Sequence, residues 1–188
     1  MGKVSRTQYL TATTLDGYIA TVDNSLDWLF KIEQGEDAKG RWDAFMDGVG
    51  SMVMGATTYT WCLQHDSFLD DPQKWRALYG DRPLWVFTHR DLPAIPGVDI
   101  TFVEGDVAPA HVDISAAAGE RNVWLVGGGE LVGSFHDAGL LDEIRAQVAP
   151  VTLGAGAPLL PRRIEGLRVQ EVRRNGQFVE ITYAVLQR

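Results

Sequence analysis

Three stretches of the chain set glycine, hydroxyl or basic residues where a buried strand gives way to a helix, an arrangement that lets backbone groups hold an anion. In the first, VWLVGGGEL from Val123 to Leu131, an apolar run passes through Gly127, Gly128 and Gly129 into Glu130 and Leu131. A helix entered through glycines leaves its first N–H groups without intrahelical partners, and its dipole favours negative charge there. Glycine also lets a ligand approach the main chain closely. The same spacing serves a tight turn with no ligand equally well. It is not G-x-G-x-x-G, because Val132 occupies the last position, so a Rossmann site is disfavoured.

The second stretch is MGATTYTW, where Gly55 precedes Thr57 and Thr58; their hydroxyls and amides can hold phosphate oxygens or simply cap a helix. In the third, VFTHR, the residues Thr88, His89 and Arg90 leave the end of a buried strand together. Ligands of open α/β sheets bind at such carboxyl ends and arginine suits phosphate, although solvated loop residues would read the same way. Other chemistry lacks support. There is no G-x-x-x-x-G-K-[ST] for phosphoryl transfer, and His65, His89, His111 and His136 lack zinc-motif spacing, so no metal is expected. Cys62 is alone, which rules out an intrachain disulfide and leaves a packed, inert thiol as the expectation.

The elements that must position these junctions alternate along the chain. Residues 6–14 read as a strand ending at the Asp16-Gly17 turn, followed by a polar loop holding an apolar island of Leu26, Trp28, Leu29, Phe30 and Ile32. Trp42, Phe45, Met46 and Val49 fall on one helical face. SMVMG then predicts a strand, ATTYTWCLQ a helix, residues 72–81 a polar stretch, PLWVFT and residues 100–103 strands, and DISAAAGE a short helix. This alternation points to a mainly parallel sheet with helices on both faces. Residues 143–151, 167–174 and 178–186 read as strands with an Asn175-Gly176 hairpin, so the C-terminal edge should be antiparallel.

At 188 residues, with 45% hydrophobic and 22% charged residues, the chain predicts a single globular domain spanning 1–188. A net charge of -8 gives no footprint for a phosphate backbone, so no nucleic-acid partner is expected. The N-terminal MGKVSRTQYLTATT alternates polar and apolar residues, and no run approaches the length of a membrane span; a cytoplasmic protein with no membrane partner is the expectation.

Taken in order, LDGYIA, MGATTYTW, VFTHR, VWLVGGGELVGSF and PVTLGAGAPLLP resemble the dihydrofolate reductase superfamily. Within it they resemble the branch holding the C-terminal reductase domain of the bifunctional riboflavin-biosynthesis deaminase/reductase and its stand-alone relatives. The resemblance implies a three-layer dihydrofolate-reductase-like α/β fold, often a homodimer, that transfers a hydride from NADPH to a small planar heterocycle of the pterin, flavin-precursor or aminopyrimidine type. It places Ala12 and Ile19 by the nicotinamide, and Gly55, Thr57, Thr58 and Gly127 to Leu131 (Gly127, Gly128, Gly129, Glu130, Leu131) by the pyrophosphate. Thr88, His89 and Arg90 would meet the adenosine ribose and its 2′-phosphate, Arg90 being the reason to expect NADPH over NADH.

On the substrate side it places Asp27 at the pocket mouth as the candidate catalytic acid, with Asp16, Trp28, Trp42, Met46 and Tyr59 as binding residues, although core packing already explains the helical spacing of Trp42, Met46 and Tyr59. Trp28 would stack on the heterocycle or pack the lid, and Asp27 would orient a proton or cap its own turn. The first-helix acid with which dihydrofolate reductases bind pterin has no counterpart near Lys39. Gly127 and Leu26 stand where riboflavin-pathway reductases usually carry glutamate and serine. A non-catalytic nucleotide- or ligand-binding protein of the same fold is therefore the alternative.

Overall fold

The computed structural model describes residues 5–186. One eight-stranded sheet organises them, built from β1 (Thr7–Thr14), β3 (Val49–Gly55), β4 (Leu84–Phe87), β5 (Ile100–Val103), β6 (Asn122–Gly127), β7 (Glu143–Ala149), β9 (Leu167–Asn175) and β10 (Phe178–Val185). Their order is β5-β4-β3-β6-β1-β7-β10-β9, and β2 (Tyr18–Ala20) pairs with β8 (Ala157–Pro158) in a separate ribbon. Strands β5 to β7 run parallel, while β10 is antiparallel to both β7 and β9, as expected for the C-terminal edge.

Strand alternation sends side chains to two cores. Met52, Met54, Leu84, Val86 and Trp124 face α1 (Ala38–Asp47), α2 (Ala56–Asp66) and α3 (Pro72–Tyr79). The intervening Val53, Trp85, Val123 and Leu125 face α4 (Val107–Ala118) and α5 (Gly129–Asp137). The result is the expected three-layer α/β architecture. A third cluster, of Trp28, Ala149 and Phe178, pins the loop after β2 onto the sheet. No helix among the described residues is long and apolar enough to cross a membrane.

Three local expectations differ from the structure. Val49 does not continue the helical face of Trp42, Phe45 and Met46: α1 ends at Asp47, Gly48 caps it, and Val49 opens β3. The polar stretch 72–81 contains α3, a helix started by Pro72 and anchored by the fully buried Trp75. Helix α4 begins at Val107, well before DISAAAGE, and is seated through Val107, Ile114 and Ala118.

Candidate active site

β3 and β6 are parallel neighbours, with Met54 opposite Gly127. The chain leaves β3 for α2 on one side of the sheet and leaves β6 for α5 on the other, which opens a crevice between the strand ends. Both helices are entered through an extended glycine, Gly55 or Gly128, and neither has a side-chain cap. Their first N–H groups are therefore directed to the crevice without local acceptors. Each glycine of the triplet has its own reason. Gly127 sits at a φ of +153°, which side chains rarely adopt. A methyl on Gly129 would lie 2.4 Å from the Pro158 carbonyl oxygen, so that position is a packing requirement. A methyl on Gly128 would meet nothing closer than Ile19 Cδ1 at 4.0 Å: the open side of the crevice lies there. The Gly127-Gly128 peptide is cis.

The crevice continues into a cavity of about 910 Å³. Gly55, Thr57, Thr58 and all five residues from Gly127 to Leu131 line it, as do Ala12 and Ile19. Leu131 also lines a second cavity, about 710 Å³, whose wall includes Thr88, His89 and the start of α4 at Asp106 and Val107. Thr88 is buried, and its hydroxyl oxygen accepts the Arg90 N–H at 2.9 Å, which shapes the turn after β4. Arg90 itself is exposed and lines neither cavity, so the expected trio is split: Thr88 and His89 face the second cavity and Arg90 faces solvent.

The substrate-side expectations fare differently. Trp42 lines the cavity. Met46 is in the core beneath it, and Tyr59 is fully buried, with its hydroxyl donating to the Pro93 carbonyl at 2.8 Å and burial pushing that hydroxyl up to about 12. Trp28 turns away from the cavity into the cluster with Ala149 and Phe178. Its neighbour Asp27 is exposed, with its N–H donating to Ser25 Oγ at 3.1 Å, and lines neither cavity. Leu26 and Leu29, from the same apolar island, do line it.

Asp16 does structural work outside the cavity. Its carboxylate accepts the Thr14 hydroxyl and the N–H groups of Leu153 and Gly154, and these, the hydroxyl foremost, hold it below the ordinary carboxylate range. This ties down the loop leading to β8, whose Pro158 covers Gly129 and lines the cavity. Cys62 is packed as expected, burial pushing its thiol up to about 12.

A polar wall opposite the glycines was not anticipated. Register sets Gln147 of β7 against Glu180 of β10. The Glu180 carboxylate accepts from Arg41 at 3.2 Å, Arg173 at 2.9 Å, Asn175 at 2.7 Å and Gln147 at 3.1 Å. Burial works to raise this carboxyl, but the two amides and two guanidinium groups outweigh it and hold it below the usual range. Arg145, two positions from Gln147 along β7, joins the same wall. The only advance signal was a polar residue at alternate positions of an otherwise apolar strand.

The model of the RibD C-terminal domain matches residues 8–179. The chain belongs to the RibD C-terminal domain family. This is a reductase-like family. The chain is also similar to an uncharacterized protein of Bacillus subtilis (strain 168), YwjB, at 31% identity over 180 residues covering 95% of this chain and 97% of YwjB. A putative riboflavin biosynthesis protein from Shewanella sp. PV-4 superposes with a TM-score of 0.77 at 26% identity, over 95% of this chain and 98% of that one. The fold is also that of a Thermotoga maritima diaminohydroxyphosphoribosylaminopyrimidine deaminase/5-amino-6-(5-phosphoribosylamino)uracil reductase, with a TM-score of 0.66 at 14% identity over 98% of this chain and 57% of that one.

Proposed function

We propose that the chain is an NADPH-dependent oxidoreductase that transfers a hydride to a small planar heterocycle of pterin, flavin-precursor or aminopyrimidine type. The observation that carries this reading is the meeting of two uncapped, glycine-entered helix starts at Gly55 and Gly128, in a crevice joined through Leu131 to a second cavity. The open face of Gly128 leaves room for a pyrophosphate, and the amides of α2 and α5 with the Thr57 and Thr58 hydroxyls supply its hydrogen bonds. Bound NADPH supplies the hydride from its nicotinamide ring.

The chain's own residues bind and orient. Ala12 and Ile19 flank the nicotinamide, Thr88 and His89 receive the adenosine end, and Trp42 with its aromatic neighbours receives the acceptor. Neither carboxylate of the main cavity wall is without a partner: Glu180 is held ionised by its four donors, and Glu130 lies 2.9 Å from Arg162. Water at the cavity mouth supplies the proton in this reading.

The same lack of a free acid favours a second reading, a non-catalytic nucleotide-binding protein of this fold. Following NADPH absorbance with a panel of pterins, flavins and aminouracils separates the two. Oxidation that depends on one acceptor supports the reductase. Cofactor binding with no oxidation across the panel supports the second reading.

A further inference from the structure

One rung of the sheet runs along the wall of the main cavity. Register sets Ala12 of β1 beside Gln147 of β7, Gln147 beside Glu180 of β10, and Glu180 beside Arg173 of β9, and all four residues line the cavity. Residues opposite one another on neighbouring strands present their side chains to the same face, so the row is continuous from β1 to the sheet edge.

Within this rung Glu180 is saturated. Its Oε1 accepts the side-chain amides of Gln147 at 3.1 Å and Asn175 at 2.7 Å, and its Oε2 accepts Arg41 at 3.2 Å and Arg173 at 2.9 Å. A carboxylate offers about four lone-pair sites, so Glu180 has none left for a ligand and acts as an anchor. Its effect falls on Gln147. A carboxylate can only accept, so the Gln147 amide must present its nitrogen; turned over, it would set oxygen against oxygen. The planar amide then carries Oε1 on the side away from Glu180, and among the described residues no donor bonds that oxygen. Asn175 differs, because its Oδ1 already accepts the Gly35 N–H at 3.0 Å.

The rest of this wall does not duplicate that acceptor. Arg41, Arg145 and Arg173 only donate, and the hydroxyls of Thr11 and Thr182 rotate to serve either sense. Trp124, edge-on to Trp42 at 5.4 Å and to Phe45 at 5.3 Å, makes the apolar part that receives a ring by stacking and edge contacts. We infer that Gln147 is a specificity-determining residue of the acceptor site: its Oε1 takes a ring N–H that adjoins a ring carbonyl, and Glu180 is the positioning residue that holds the amide in that sense. The adjoining carbonyl suits the guanidinium donors of the same wall. A ring edge held at Gln147 stands one strand spacing, about 4.8 Å, from the position of Ala12, so this contact also sets the acceptor against the nicotinamide. The inference rests on the reductase reading for the nicotinamide beside Ala12.

Equilibrium dialysis tests it, with NADPH-saturated protein against pairs that differ only by a methyl on that ring nitrogen: pterin, 5-aminouracil and lumiflavin, each beside its 3-methyl derivative. At least one parent ring should bind, about tenfold or more tighter than its methylated partner. Gln147→Met keeps the side-chain length and removes the acceptor, so it should weaken the parent about tenfold and leave the methylated partner within about twofold. Glu180→Gln lets the Gln147 amide turn over and should lower the wild-type ratio about threefold, whereas a merely structural loss would weaken both members alike. Equal binding within every pair by the wild-type protein overturns the inference, as does failure of all three parents to bind at millimolar concentration. An unchanged ratio in folded Gln147→Met overturns the role of Gln147, and one in folded Glu180→Gln overturns the positioning role. Gln147→Leu repeats the test where Gln147→Met does not fold, and the wild-type ratios decide the N–H requirement in either case. Failure of NADPH to saturate the protein, measured first, counts against the reductase reading instead, and dialysis without cofactor still decides the N–H requirement.

Discussion

Gly55 and Gly128 face one another across the gap between β3 and β6: a methyl on Gly55 would stand 3.6 Å from the Gly128 nitrogen. The two residues begin helices that depart on opposite sides of the sheet, so their amides converge from both faces. Gly128 has an extended backbone that any residue adopts and open space beside it. Gly128→Ala should therefore fold normally while weakening NADPH about tenfold or more, because its methyl fills space the pyrophosphate needs. Gly129→Ala should instead destabilise the fold by about 1 to 3 kcal/mol, through its clash with the Pro158 carbonyl. Thermal melts beside cofactor titrations of the two variants check both; the reverse pattern would contradict this division of labour.

Asp27 is exposed and outside the cavity, so Asp27→Asn should leave acceptor-dependent NADPH oxidation within about twofold of wild type. A steady-state comparison that found a loss of about a hundredfold would return Asp27 to the chemistry, in the role the family resemblance implies.

His111 couples stability to pH. Its ring lies 2.8 Å from the Thr7 hydroxyl, and burial lowers its pKa below the ordinary histidine value, with Asp142 opposing more weakly. The fold therefore favours the neutral ring. As pH falls below about 6.5 the unfolded chain takes up the proton first, and stability is lost progressively down to the lower folded value. Melting temperature should fall between about pH 7.5 and about pH 5.5, and His111→Gln should flatten that slope. Identical slopes for the two proteins would count against the assignment.

Strand β9 is one of the two edges of the eight-stranded sheet, and Val169 and Val172 on it are 55% and 58% exposed. We propose that two copies of the chain pair across this edge as a homodimer. Sedimentation should show a dimer for the wild-type protein and a single chain for Val169→Lys with Val172→Lys. A wild-type monomer at micromolar concentration would rule the interface out.

The parts of the site legible in the sequence are those built from consecutive residues. VWLVGGGEL and MGATTYTW each carry strand, glycine and helix start within a few positions, and both contribute residues to the wall of the main cavity. The polar wall was not legible, because Arg41, Gln147 and Glu180 come from α1, β7 and β10 and meet only through sheet order and the Gln147 to Glu180 register. Nor does composition say which way a loop tryptophan turns. Trp28 and Trp42 are both apolar residues near the cavity, yet Trp28 packs against Phe178 and Trp42 faces the acceptor end. Helix α3 was not legible in the sequence because Trp75 carries most of its buried face.

The central claim, that the Gly55 and Gly128 crevice holds a nicotinamide dinucleotide, is tested most directly by titrating the purified protein with NADPH and with NADH while following cofactor fluorescence. The account predicts saturable NADPH binding at micromolar concentration, weaker NADH binding, and marked weakening of both by Gly128→Ala. No binding of either cofactor at millimolar concentration would contradict it.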